Sequence, residues 1–270
     1  MSNLPVYLLT LLAYGVLSVI YARAQLTGRV ERAVSVMAGN AVLIPLLLHG
    51  YVLYAALWVN GGLHLGLVNA VSLIFWLTIL IYWVAHFFYP LSSLKALMMP
   101  LAGGAAMLPL LFPAVRNEGQ PTSWIFDAHV LAAMLAYSLF TIAALHASLM
   151  SLVESNLHKA RLPLLLRNLP PLLTMETLLF RLIGIGFVLL TVTLVSGALF
   201  SEQIFGKPFQ FTHKILFGIV SWLVFGILLA GRHLRGWRGK TAVSWTMWGF
   251  GFLLLAYLGS QFVLEVILHR

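Results

Sequence analysis

The sequence contains no cysteine, which excludes structural disulfides, thiolate metal sites and thiol nucleophiles together. Charge is scarce as well. Charged residues make up 9% of the chain, against roughly 25% in an ordinary soluble domain. No His-Glu-x-x-His zinc motif, no Gly-rich phosphate loop and no Gly-x-Ser-x-Gly elbow is present. Low-complexity stretches, fixed-period repeats and a separate soluble domain are also missing. These absences remove the common hydrolase, nucleotide-binding and metalloprotease classes.

What the chain has in abundance is apolar surface. Of 270 residues, 61% are hydrophobic. A soluble fold has too little interior to hide that surplus, so lipid must solvate much of it. A bilayer core needs about 20 mostly apolar residues per helix. Such runs fall at roughly 4–22, 34–58, 66–88, 96–113, 124–153, 178–200, 211–231 and 242–267. The first lacks a basic residue ahead of it and reads as a true span, not a signal peptide. The fourth carries Gly103, Gly104 and Pro109, breakers that a membrane bundle tolerates when neighbours satisfy the freed backbone groups. The predicted fold is an all-α integral membrane protein, a bundle of about eight transmembrane helices forming a single transmembrane domain over 1–270.

The net charge of +9 reports topology, because its distribution is one-sided. Arg23, Arg29, Arg32, Lys95, Lys159, Arg161, Arg167, Arg181, Arg232, Arg235, Arg238 and Lys240 follow the odd-numbered spans. The other side holds only Arg116, Lys207, Lys214 and Arg270. Cations concentrate on the cytoplasmic side. Both termini are therefore expected on the periplasmic side of a bacterial inner membrane, crossed many times. Nucleic acid is excluded as a partner; the lipid bilayer is the expected one.

Connections are short and turn-like at 60–62, 117–121 and 235–240. The inner segment Glu154–Glu176 is longer. Its Pro163, Pro170 and Pro171 forbid one continuous helix, and its mixture of cations and leucines reads as an interfacial stretch on the inner leaflet. All seven carboxylates fall at span ends. Glu31, Glu154 and Glu176 are inner; Glu118, Asp127, Glu202 and Glu265 are outer. With none at mid-depth, a paired-carboxylate hydrolase is excluded and an ion-coupled transporter disfavoured.

Nine histidines are the remaining chemistry. A neutral imidazole ligates iron through one nitrogen, and two on opposite faces make a six-coordinate haem. His64, His86, His158, His233 and His269 sit at span ends, the usual place of interfacial histidines. His49 and His146 lie deeper and read as hydrogen-bonding residues within the bundle. His129 differs. With ~3.6 residues per turn, Ala132, Ala133, Ala136, Tyr137 and Phe140 share its face. Small residues beside a histidine leave room either for a flat ligand or for a close helix neighbour.

Three stretches carry a family resemblance. They are Asp127-Ala128-His129-Val130 with Ala136-Tyr137-Ser138; Trp222 with Arg235-Gly236-Trp237-Arg238-Gly239; and Gly249-Phe250 with Ala256-Tyr257-Leu258-Gly259. Over residues 120–268 the chain resembles the CcsA/CcmC-type cytochrome c assembly proteins, haem-handling membrane proteins. It is most similar to their small eight-span members of the YpjD and HemX type. The resemblance implies non-covalent haem b as ligand and other cytochrome maturation or membrane proteins as partners. It makes His129 the first outer haem ligand and puts His269 near the place of the second; His213 has no counterpart in the family motif, but its depth at the start of span 7 makes it the other candidate opposite His129. Family members that deliver haem carry Trp-Gly-x-x-Trp-x-Trp-Asp-x-Lys; here that spacing reads Phe205, Gly206, Phe209, Phe211, Thr212 and Lys214. An aromatic platform survives, while the indole donors and the carboxylate are gone. Two functions follow: haem binding or handling at the periplasmic side, needing no bond-making side chain, or a non-catalytic membrane partner or regulator that keeps the fold without delivering haem.

Overall fold

The computed structural model describes residues 3–27, 39–59, 62–88, 92–113, 123–158, 170–201, 210–263 and 267. Eight helices carry the fold: α1 (Leu4–Thr27), α2 (Leu43–Leu57), α3 (Leu67–Ala85), α4 (Ser92–Leu111), α5 (Trp124–His158), α6 (Leu172–Leu199), α7 (His213–Arg235) and α8 (Gly239–Leu254). Each lies in a helical stretch long and apolar enough to cross a membrane. The described residues are all-α apart from a short antiparallel ladder, Trp58–Val59 with Gly62–Leu63. Beyond α8 the chain passes through a π turn, Leu255–Gly259, before Ser260–Phe262.

The helices fall into two compact units, α1–α4 in the first and, from Pro121–Ser155 and Pro171 onward, α5–α8 in the second. In the first, α1 packs on α4 through a close approach that glycine permits. A Cβ on Gly103 would stand 3.1 Å from Tyr14 Cβ. Pro100 and Pro109 both lie inside α4, so the fourth span is one helix despite its breakers. Below it runs a buried polar chain: the Tyr14 hydroxyl lies 3.3 Å from His49 Nδ1, and His49 Nε2 lies 3.0 Å from Ser72 Oγ. His49 thus has the interhelical hydrogen-bonding role expected of it.

The second unit is built around stacked aromatics. Phe140 of α5 and Phe225 of α7 lie face to face, centroids 4.0 Å apart, both fully buried. Glycine makes the stack fit, because a Cβ on Gly186 would meet the Phe140 ring at 3.1 Å and one on Gly249 the Phe225 ring at 2.8 Å. His146 Nε2 bonds to the Met175 carbonyl at 2.9 Å, again as expected of a bundle histidine.

Two boundary expectations need correction. Residues 154–158 continue α5, and α6 begins at Leu172, not near 178. The physical reason is that proline is tolerated at a helix start, and Pro171 is the residue from which α6 springs; the rest of the expected interfacial stretch, 159–169, lies outside the described residues. Glu176 and Arg181 are consequently helical residues, and Glu176 is buried. Lys95, expected in an inner loop, is likewise inside α4 and buried.

Candidate functional site

The odd and even helices of the second unit alternate in direction, so the start of α5, the end of α6, the start of α7 and the π turn after α8 lie at the same end. Ser123 caps α5, its Oγ accepting from the Phe126 amide at 3.2 Å. Asp127 follows in the first turn, where a negative charge complements the helix dipole. That start places His129 one turn further in, half-buried.

His129 is held by α6. Its Nδ1 lies 2.8 Å from Ser196 Oγ, and the same hydroxyl donates to the Thr193 carbonyl at 3.2 Å. Ser196 has one proton to share between Thr193 and His129, so the Nδ1 contact couples the imidazole tautomer to the Ser196 rotamer. In the tautomer whose Nδ1–H donates to Ser196 the lone pair sits on Nε2, a form that ligates a metal ion. Gly197 makes the room: a Cβ there would come 3.2 Å from His129 Cε1. Neither Ser196 nor Gly197 was singled out from the sequence. The one available signal was a small polar–small pair near the end of the sixth span, at the depth of His129.

The π turn adds a second feature at this end. The Tyr137 hydroxyl donates to the Leu253 carbonyl at 2.7 Å, where α8 gives way to the π turn. A side chain inserted into a helical ladder is a recognised cause of such irregularity, and π turns gather at functional sites. Tyr257, within the turn, packs edge-on to Tyr137 at 6.2 Å and receives Lys214 over its ring at 5.6 Å. Trp222, part of the sequence resemblance, donates to Thr191 Oγ1 at 2.8 Å and stacks on Phe187.

The remaining expected site residues are placed less tightly. His213 is the exposed first residue of α7, and Phe211 is exposed just before it. No described contact joins either to His129. Phe205, Phe209 and His269 lie outside the described residues. Among the described residues, no group of three or more histidines, cysteines or carboxylates could hold a metal ion by itself.

At the opposite end, the sequence reading missed an ion pair. Glu176 Oε1 accepts from Arg232 Nη1 at 2.5 Å, and its Oε2 from the Gly239 amide at 3.2 Å. Arg232 also reaches the Trp237 carbonyl at 3.2 Å and lies over the Phe180 ring at 4.7 Å. Gly236 and Gly239, with φ of 65° and 52°, supply the left-handed backbone that turns α7 into α8 and aims the Gly239 amide at Glu176.

Eight apolar helices, a one-sided cation distribution and a histidine braced near the end of one unit define a multi-pass helical membrane protein. A family model described as cytochrome C assembly protein matches residues 38–268. Inner membrane protein YpjD of Escherichia coli (strain K12) is 33% identical over 139 residues, 52% of this chain and 52% of the relative. A 28.8 kDa protein from the nifR3-like 5′ region of Azospirillum brasilense is 31% identical over 225 residues, 80% of this chain and 81% of that one. Cytochrome c biogenesis protein CcsA of Thermosynechococcus vestitus is 35% identical over 86 residues, 32% of this chain and 27% of the relative. The matched region spans about half the length of the YpjD relatives. No solved structure matches the chain. The chain belongs to the cytochrome c assembly protein family and is a multi-pass inner-membrane protein.

Proposed function

We propose that the protein binds haem b non-covalently at the end of its second unit and handles it for cytochrome maturation, with that end and both termini on the periplasmic side. The observation that carries this reading is the His129–Ser196–Thr193 hydrogen-bond chain; with Nδ1–H donating to Ser196, the imidazole lone pair is left on Nε2. Metal-binding histidines almost always donate their other ring N–H to such a partner. The donor set therefore fits a haem iron. His129 would hold the iron together with His213 or His269, and Phe205, Phe209 and Phe211 would supply apolar surface for the porphyrin. Haem iron supplies the redox-active centre when bound. The chain supplies an imidazole held by Ser196 and seated against Gly197. Relatives named for cytochrome c biogenesis support the pathway.

The test is a visible spectrum of detergent-purified protein, oxidised and dithionite-reduced, with haem quantified as the pyridine haemochrome. A Soret band corresponding to about one haem per chain is expected, with the band lost in His129→Ala at unchanged expression. Ser196→Ala should weaken hemin affinity by about 10–100-fold while leaving the ligand in place. An unaltered hemin affinity in Ser196→Ala would remove the tautomer argument.

The substituted loop at 205–214 favours a second reading, in which the protein is a membrane partner or regulator that does not deliver haem. Its three phenylalanines lack the indole N–H groups that would bond to polar haem edges. A colourless protein that also takes up no added hemin decides for this reading.

A further inference from the structure

Among the described residues, a buried cation of the first unit has no carboxylate to match it. Lys95 lies in the first turn of α4 and is 4% exposed. An ammonium carries three donors. Among the described residues Lys95 uses one, toward His86 Nδ1 at 3.3 Å, and otherwise lies over the Tyr21 ring at 5.4 Å. No described carboxylate pairs with it. His86 does not share the charge, because burial and then the Lys95 ammonium hold its imidazole below the usual range. An unpaired charge taken out of water is costly, so folded proteins pair such groups.

Two further features converge on the same spot. Tyr82, 2% exposed, has a hydroxyl with no hydrogen-bond partner. It lies within electrostatic reach of the Tyr21 phenol and of the Leu94 amide. Leu94 belongs to the first turn of the 20-residue helix α4. Amides of a first helical turn lack intrahelical acceptors, and the helix dipole there favours negative charge. A buried ammonium, the Tyr82 phenol beside the Leu94 amide and the N-terminus of α4 therefore lie together.

We propose that this cluster is a binding site for a single phosphate oxyanion, held by Lys95, the Tyr82 hydroxyl and the first-turn amides of α4. The one-sided cation distribution puts this end at the inner leaflet, where lipid headgroups carry that anion. Val84, Phe87 and Phe88 are exposed on the adjoining turns of α3, as an acyl-chain-facing surface would be. Basic pockets between membrane helices on the cytoplasmic side commonly hold such headgroups. The site is separate from His129 and independent of whether haem binds.

The experiment uses the full-length protein in detergent. Native mass spectrometry reads retained lipid, and thermal unfolding is followed with added phosphatidylglycerol, phosphatidylcholine or inorganic phosphate. One retained phospholipid and a rise in Tm with phosphatidylglycerol, not with phosphatidylcholine, are expected. Tyr82→Phe and Lys95→Met should weaken phosphatidylglycerol binding by about tenfold or more, as loss of a charge-assisted contact does. Lys240→Gln, which removes an exposed cation of the second unit, should leave it unchanged. Equal protection by inorganic phosphate with no lipid adduct supports the oxyanion site and assigns a free anion as its source. Absence of both adduct and Tm shift in the wild type overturns the proposal. So does a Tyr82→Phe protein that folds by circular dichroism and binds as tightly as wild type.

Discussion

Replacing Glu176 with alanine is expected to lower the stability of the protein in mixed micelles by about 3 kcal/mol, near the lower end for breaking a buried ion pair. The carboxylate side chain is 8% exposed and accepts from both Arg232 and the Gly239 amide. Its removal strands an arginine that is itself only 26% exposed. Arg238, 3.9 Å away but largely exposed, contributes little, so Arg238→Ala should cost below about 1 kcal/mol. Glu176→Ala paired with Arg232→Met should recover much of the loss, because no buried charge is left unpaired. Equilibrium unfolding in dodecylmaltoside with rising dodecyl sulfate measures all three. Equal losses for Glu176→Ala and Arg238→Ala would show that the pair is as solvated as a surface bridge.

The second large effect is expected at the aromatic stack. Phe225→Ala should destabilise by about 3–4 kcal/mol, in the range for a buried phenylalanine lost to a cavity. Between helices in lipid the penalty comes mainly from lost packing, since the surrounding hydrocarbon is as apolar as the ring. Overpacking the same place is also costly. Gly249→Ala brings a methyl within 2.8 Å of a ring that Phe140 holds from its other face at 4.0 Å. About 1–3 kcal/mol is expected for it. The two changes share one space, so Phe225→Leu with Gly249→Ala should cost less than the sum of the singles. Strict additivity in that double-mutant cycle would mean that the ring and the glycine do not compete for volume.

Much of the architecture was legible in the run lengths. Eight apolar stretches became eight helices, and the breakers in the fourth were absorbed, as the membrane environment allows. The start of the sixth was not legible. Its opening residues, Leu172 to Thr177, include a threonine and Glu176, and hydropathy alone pushes those outside a span. There the helix that starts at Leu172 carries Glu176 buried, because Arg232 pairs with the carboxylate from another helix. For the candidate site, His129 was visible through the small residues around it, whereas its partner was not. Ser196 lies 67 residues away, and a serine in an apolar run is indistinguishable by pattern from one that bonds its own helix, as Ser138 and Ser148 do here.

Composition and periodicity thus determined by themselves that this chain lives in a membrane, how often it crosses and which residues are able to bind a metal ion. Those are local properties, since each span is long enough on its own to hide its backbone from lipid. The tertiary structure alone decided which polar groups meet: Glu176 with Arg232 across 56 residues, Tyr14 with His49 across 35, His129 with Ser196. The reason is geometric. Such pairings depend on the rotation and depth of one helix against another, and those are set by side-chain packing at glycines such as Gly103, Gly186 and Gly197.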